Sequence, residues 1–305
     1  MENFKALSGE LQRAMPDLEL RLDEPLSKHT SFHIGGPCAV MALPADEEQI
    51  KTLMGLLRGR EIEPLIIGRG TNLLVTDAPL RRVAVKLGEG FSGVVSAGER
   101  SLYAQAGCPL AKFACAAMDL GLAGLEFAHG IPGSVGGACV MNAGAYGGEM
   151  RDVVTHVRIL DAAGDILNLE AAVCDFSYRH SVFSDTGSLI LGCEVRLDRD
   201  DPAAIAKRMR ALMERRKSRQ PLDIPSAGST FKRPKTGYAA ALIAQCGLKG
   251  FRIGDAAVSE KHAGFVVNLG SATYADVRAV IEHVQRTVRE KCGVELEPEV
   301  KIIDG

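Results

Sequence analysis

The sequence predicts an α+β fold. Apolar residues recur at helical spacing in a few separated stretches, and short runs rich in β-branched residues lie between them. The two kinds do not alternate as regular βαβ units, and residues 150–200 read as strand throughout, which disfavours a doubly wound sheet.

The elements follow in chain order. Ile50, Leu53, Met54 and Leu57 make a helical stripe, with Asp46 placed to cap it. The runs 64–67, 73–75 and 83–87 read as strands. Leu110 to Leu120 reads as a second helix closing near Gly121, and 153–160 and 188–196 as further strands. Ile205, Met209, Leu212 and Met213 line a third helix among Lys207, Arg208, Arg210, Arg215, Arg216, Lys217 and Arg219, a basic stretch that reads first as a solvated face. The run 264–269 is another strand. Val277, Val280, Ile281, Val284 and Val288 then mark a fourth helix, opened by a capping box from Thr273 to Asp276 and closed at Gly293. The run 300–303 is a last strand. The natural boundary is Asp200-Asp201-Pro202, where strand gives way to the basic helix.

Composition narrows the function classes. The 36 Lys+Arg against 38 Asp+Glu leave a net charge of −2, without the basic excess that nucleic-acid or anionic-membrane binding favours. No apolar run approaches the roughly 18–20 residues of a membrane span, and no signal-type apolar region opens the chain. Eight scattered cysteines lack Cys-x-x-Cys or zinc spacing and read as reduced and buried, so the expected compartment is the cytoplasm. His29 and His33 are four apart but run into Gly35-Gly36, so the segment is expected to be extended and no metal is expected there. Glycine is in excess: 33 of 305 residues, roughly 11% against a usual ~7%.

Those glycines concentrate in motifs. Gly88-Glu89-Gly90-Phe91-Ser92-Gly93 fits G-x-G-x-x-G, but Val94-Val95 continues as strand where that motif needs a helix, so a strand-turn-strand is expected. Pro132 spoils a G-x-S-x-G nucleophile elbow at Ser134, and no Gly-Lys exists for a phosphate-loop lysine. Gly68-Arg69-Gly70-Thr71-Asn72-Leu73 follows a strand directly, and its amides and hydroxyl suit a phosphate. Gly130-Ile131-Pro132-Gly133-Ser134-Val135-Gly136-Gly137 lets backbone lie flat against a bulky anion; a purely structural loop is the alternative in both cases. Glu295, Glu297 and Glu299 alternate as one face of a strand would, although on their own they read first as a solvated edge.

Taken in order, Lys28–Phe32, the two glycine loops, Asn142-Ala143-Gly144-Ala145-Tyr146-Gly147, Tyr178–Phe183, Ala227–Pro234, Ser259–Phe265 and Leu296–Val300 resemble the UDP-N-acetylenolpyruvoylglucosamine reductase family, from about residue 20 to the end. The resemblance implies a vanillyl-alcohol-oxidase-type FAD-binding fold of two subdomains, split near residue 76, over residues 1–200. It implies an α+β substrate-binding domain over 201–305, whose last strand returns toward the active site. It further implies non-covalent FAD, NADPH as hydride donor, a UDP-sugar substrate, a place in peptidoglycan precursor synthesis and hence in cell shape and division, and a monomer without metal, nucleic-acid or membrane partners. By the same resemblance Arg179, Ser229 and Glu299 are catalytic. Gly68 to Leu73, Gly130 to Gly137, Asn142, Gly144, Ala145 and Tyr146 hold the cofactor, and Tyr178, Lys217, Arg233 and His262 hold the substrate.

Two departures stand out. Arg69 and Thr71 replace a glycine and a serine common in the family's first loop, which raises an added flavin-phosphate contact for Arg69. The chain between Phe183 and Ala227 is short, so the insertion that carries a substrate-covering tyrosine in one subclass is absent. The alternatives are another FAD-linked oxidoreductase of the same fold acting on a sugar, and a non-catalytic flavin- or nucleotide-binding protein. The Ala227–Phe231 and Leu296–Glu299 segments, together with Arg179, favour the reductase.

Overall fold

The structure, a computed structural model, describes residues 3–304. It divides into two compact units. One takes the chain up to Leu22, Ala39–Arg69 and Arg82–Arg215; the other takes Asp23–Cys38, Gly70–Arg81 and the chain from Arg216 onward.

The first unit opens with helix α1 (Phe4–Ala14), capped by Asn3, whose side-chain oxygen accepts from the Ala6 N–H at 3.1 Å. Helix α2 (Glu47–Arg58) starts where Asp46 accepts from the Gln49 N–H at 2.8 Å and buries Ile50, Leu53 and Leu57, the stripe its sequence announces. Strands Glu19–Pro25, Pro37–Leu43, Leu80–Lys86 and Leu65–Ile67 form a four-stranded sheet in that order. A five-stranded antiparallel sheet orders Ile166–Glu170, Val154–Leu160, Leu189–Arg196, Ser101–Gln105 and Val94–Gly98. The Gly88 motif is a short turn ahead of Val94–Gly98, so no helix follows it. Helices α3 (Leu110–Asp119) and α4 (Val135–Val140) pack on this sheet, with Phe91, Phe113, Cys139, Val157 and Cys193 fully buried in the core. Arg158 reaches from the sheet to grip Glu47 of α2 with two bonds of 2.7 and 2.8 Å, a fork-to-fork pair that fixes direction as well as charge.

Helix α5 (Pro202–Arg219) runs from the first unit into the second. Its basic face is partly paired: Arg208 bonds both Glu126 and Asp200.

In the second unit, helix α6 (Ala239–Gln245) and helix α7 (Tyr274–Cys292) lie with a three-stranded sheet, Arg252–Ile253, Ala256–Val258 and Val266–Asn268. The expected Thr273–Asp276 capping box is present in both directions, and Gly293 ends α7 in the left-handed conformation at φ 67°. Val277, Val280, Ile281, Val284 and Val288 are buried, each contributing roughly 1.5–3 kcal/mol. Phe32, Ile34 and Leu74 complete that core from far upstream, and the Asn268 amide donates to the Phe32 carbonyl at 2.9 Å. Strand Lys301–Ile303 pairs in parallel with Leu73–Val75.

Two expectations fail locally. The segment around His29 and His33 is not extended: Leu26–His29 form a turn of 3-10 helix and His33 sits at φ 58°, because the Thr30 hydroxyl bonds the Ile34 carbonyl and closes the chain on itself. His29 is held by Glu24 at 2.9 Å. Glu295, Glu297 and Glu299 do not share a strand either. Among the described residues the bridge there joins Phe231 to Pro298, through the Glu299 N–H to Thr230 and the Lys232 N–H to Glu297, and is one residue pair long.

Candidate active site

The two glycine loops converge within the first unit. Strand Leu65–Ile67 delivers Gly68 against Ser134, so closely that a Cβ on Gly68 would overlap the Ser134 hydroxyl. Arg69 bonds the Pro132 carbonyl at 2.8 Å, tying one loop to the other. The second loop is clamped along its backbone. Leu110 N–H donates to Gly133 at 3.0 Å, Val135 N–H to Cys108 at 2.8 Å and Gly136 N–H to Ala106 at 2.8 Å. Two chain segments stripped of side chains at their meeting point, next to a buried serine, form the cradle that a dinucleotide diphosphate needs. The residues present therefore fit FAD.

Downstream of the loop, Asn142 is fully buried and held at φ 40°, a left-handed position that asparagine tolerates better than most residues. Its amide nitrogen donates to Glu149 at 3.0 Å and to the Ser177 carbonyl at 3.1 Å, and its oxygen accepts from the Arg151 N–H at 2.9 Å. Ser177 and His180 exchange backbone bonds of 3.0 and 3.2 Å around Tyr178 and Arg179. Arg179 thus stands at the tip of a tight turn at φ 57°, with its guanidinium 5.1 Å from the Tyr178 ring centre. A non-glycine residue held there is strained, and such strain persists only where surrounding contacts impose it; Asn142 supplies one of them. Gly144 and Ala145 pair with Glu149 and Gly148, and Tyr146 lies under Arg215 at 5.1 Å.

The second unit gathers the remaining residues. Gly70 lies at φ 62°, where a Cβ would overlap the His29 carbonyl oxygen. Beyond Thr71, the Asn72 amide donates to the Glu299 carbonyl at 3.0 Å, and Lys301 N–H donates to Asn72 at 2.9 Å. Leu73 begins the strand beside Lys301–Ile303. Gly228, at φ 75°, turns the chain into Ser229. Thr230 then sits between two neighbours: its N–H donates to Gly264 at 2.8 Å, and its carbonyl accepts from Glu299 N–H at 2.8 Å. Ser229 and Glu299, both half-buried, are thereby set on adjoining extended segments. His262 is part of the same neighbourhood. Its Nδ1 accepts from the Gly264 N–H at 3.2 Å, so the neutral ring carries its proton on Nε2. Burial pushes its pKa down from the ordinary histidine value, assisted by the charge of Lys249. Arg233 is exposed, 4.8 Å from the Tyr238 ring centre, and Lys261 joins the Lys217 carbonyl at 2.6 Å.

The structure thus brings Asn72, Ser229, His262 and Glu299 together in the second unit. It brings Gly68, Arg69, Pro132 and Ser134 together in the first, and links Asn142 to the Arg179 turn. Sequence reasoning missed the last link, because Asn142 and Ser177 stand 35 positions apart. Its one local signal was an asparagine opening a Gly-rich turn.

A two-loop cradle on an α+β frame defines an FAD-binding protein, and residues 38–170 match the family model described as an FAD binding domain. Residues 220–303 match the C-terminal domain of UDP-N-acetylenolpyruvoylglucosamine reductase. A reductase of that name from Caldanaerobacter subterraneus is 47% identical over 97% of this chain and 98% of its own length. One from Agathobacter rectalis is 45% identical, covering 95% of both. The crystal structure of the reductase from Thermus caldophilus superposes with a TM-score of 0.79 at 32% identity, covering 94% of this chain and 99% of that one. The chain belongs to the UDP-N-acetylenolpyruvoylglucosamine reductase family, a family of FAD-dependent oxidoreductases. Among the described residues no cluster of His, Cys, Asp or Glu could hold a metal ion, and no helix is long and apolar enough to cross a membrane.

Proposed function

We propose that this chain reduces UDP-N-acetylglucosamine enolpyruvate to UDP-N-acetylmuramate with NADPH, as a cytoplasmic, monomeric step of peptidoglycan precursor synthesis. Residues 1–200 serve the cofactor and 201–305 the substrate. When held non-covalently by the two glycine loops, FAD would relay a hydride from NADPH to the methylene carbon of the enolpyruvyl group.

The chain's own residues handle the charge and the proton. Hydride addition leaves an enolate-like dianion whose new charge spreads onto the substrate carboxylate, and Arg179 holds that carboxylate with its fork of N–H donors. Ser229 gives its proton to the carbon next to the carboxylate. A serine hydroxyl is a weak acid, but the enolate-like species is a strong base, so the transfer need not run uphill. Glu299 stands by as a polar partner or second acid. Lys217, Arg233 and His262 take the substrate's diphosphate, to which His262 donates from Nε2 in its neutral form, and Tyr178 contacts the substrate beside Arg179. Arg69 braces the loop that holds the cofactor, through the Pro132 carbonyl.

What supports this reading is the backbone bond from Glu299 to Thr230 at 2.8 Å, which joins the segment that carries Glu299 to the one that carries Ser229, two proton-bearing groups that an alcohol oxidase, with no enolate to protonate, does not need. The purified protein is expected to be yellow, to release all its flavin on denaturation, and to oxidise NADPH only when the enolpyruvyl UDP-sugar is present. A colourless protein that FAD neither binds nor stabilises would overturn the proposal, as would oxidation of simple sugars by oxygen in place of that turnover.

A further inference from the structure

Two of the eight cysteines, both in the second unit, lie in contact. The Sγ atoms of Cys246, at the end of α6, and Cys292, the last residue of α7, are 3.6 Å apart. Neither belongs to the catalytic or binding residues assigned above. We propose that Cys246 and Cys292 form a thiol–disulfide modification site, which a low-molecular-weight disulfide oxidises reversibly to an intrachain bond between α6 and α7.

The two thiols differ in access. Cys292 is half-buried, whereas Cys246 is 6% exposed and sits in the apolar core. Burial also pushes the Cys246 thiol up, so the more accessible Cys292 is the first to react. The order of events follows. The Cys292 thiolate attacks one sulfur of the disulfide and expels one thiolate, giving a mixed disulfide. The Cys246 sulfur then attacks the Cys292 sulfur and expels the second thiolate. Two protein thiols are oxidised, one small disulfide is reduced to two thiols, and the two protons lost by the cysteines end on the released thiols.

Geometry favours closure. A disulfide needs about 2.05 Å between sulfurs, and the 3.6 Å separation lies within about 1.6 Å of it, so the proposed bond is expected to close without strain. Lys291, beside Cys292, already bonds the Cys246 carbonyl at 3.2 Å and holds the two chain ends in register. The other cysteines offer no equal. Cys139 and Cys193 both lie fully buried in the first unit's core, out of reach of a small oxidant.

The test uses the full-length flavoprotein and glutathione disulfide. After oxidation, free thiols are alkylated, and tryptic peptides are mapped without reduction. The expected product links peptide 236–249 to peptide 292–301, disappears with dithiothreitol, and is absent from Cys292→Ser. The oxidised protein should melt a few degrees above the reduced form, since the bond constrains the unfolded chain. If Cys246 and Cys292 remain fully alkylatable, or each carries its own glutathione, the proposal is wrong. A cross-link that lowers the melting temperature would overturn the claim that the pair closes without strain.

Discussion

Replacing Asn142 by alanine removes three hydrogen bonds at once: to Glu149, to the Ser177 carbonyl and from the Arg151 N–H. The Glu149 carboxylate keeps Arg151 as an ion-pair partner, so its loss is small. The Ser177 carbonyl and the Arg151 N–H lose a partner in a region where Asn142 itself is fully buried. Each such orphaned group costs about 1–3 kcal/mol. Alanine must also adopt φ 40°, a left-handed position that adds about 1 kcal/mol. The total is about 3–7 kcal/mol, which for a unit of this size lowers the melting temperature by roughly 6–28 °C. Differential scanning calorimetry on the flavin-loaded protein, wild type against Asn142→Ala, measures it. Asn142→Asp keeps the acceptor for Arg151 but loses both donors and sets a carboxylate against Glu149, so it should also be destabilised. A second readout concerns Arg179, whose turn is anchored at Ser177. Reoxidation of reduced flavin by the enolpyruvyl substrate should slow more than flavin reduction by NADPH. If Asn142→Ala melts within about 2 °C of wild type, water replaces those bonds freely and Asn142 does not set the turn.

Ser229→Ala should leave flavin reduction by NADPH nearly intact and slow reoxidation by about 10²–10⁴-fold, the usual loss on removing a positioned general acid. In stopped-flow traces, equal slowing of both half-reactions, or of neither, would point to another proton donor, with Glu299 next in line. Arg233→Ala should raise the KM for the UDP-sugar at least about tenfold, roughly 1.4 kcal/mol of binding, with flavin reduction unaffected; an unchanged KM would remove Arg233 from the site. His262 gives a pH signature. Its folded pKa lies below the ordinary 6.5, so its contribution to stability is complete above that value and is lost as pH falls through the folded pKa. Urea midpoints of wild type minus His262→Gln should therefore shrink as the pH falls below about 6.5, and a pH-independent difference would show that burial does not disfavour the charged ring.

The helices were legible because their signals are local. Asp46, Thr273 with Asp276, and Gly293 each sit within one turn of the bond they make. The buried strands at 154–160 and 189–196 were legible as apolar runs. Glu19–Pro25 was not, since Glu-Leu-Arg-Leu-Asp-Glu-Pro is too charged to read as strand; it lies at the edge of its sheet, where such residues are tolerated. Val94–Gly98, also an edge strand and largely exposed, was legible only in part, from Val94-Val95. At the site, the glycine loops announced themselves by composition. That Gly68 meets Ser134, or that Asn142 anchors the Arg179 turn, depends on chain segments brought together over dozens of residues, and no local pattern encodes that.

The second unit draws its core from three separated stretches of chain, and this bears on how the protein is made. Phe32, Ile34 and Leu74 pack against side chains of α6 and α7, about 200 residues further on. At a translation rate of about 5–20 residues per second, those three apolar residues emerge some 10–40 seconds before their partners exist. The first unit, whose last segment ends at Arg215, can collapse during that interval. The nascent chain therefore carries, beside an already folded body, two short hydrophobic strips awaiting burial. Those strips are where holdase chaperones would engage it, and where a ribosome stalled before α7 would leave a sticky product.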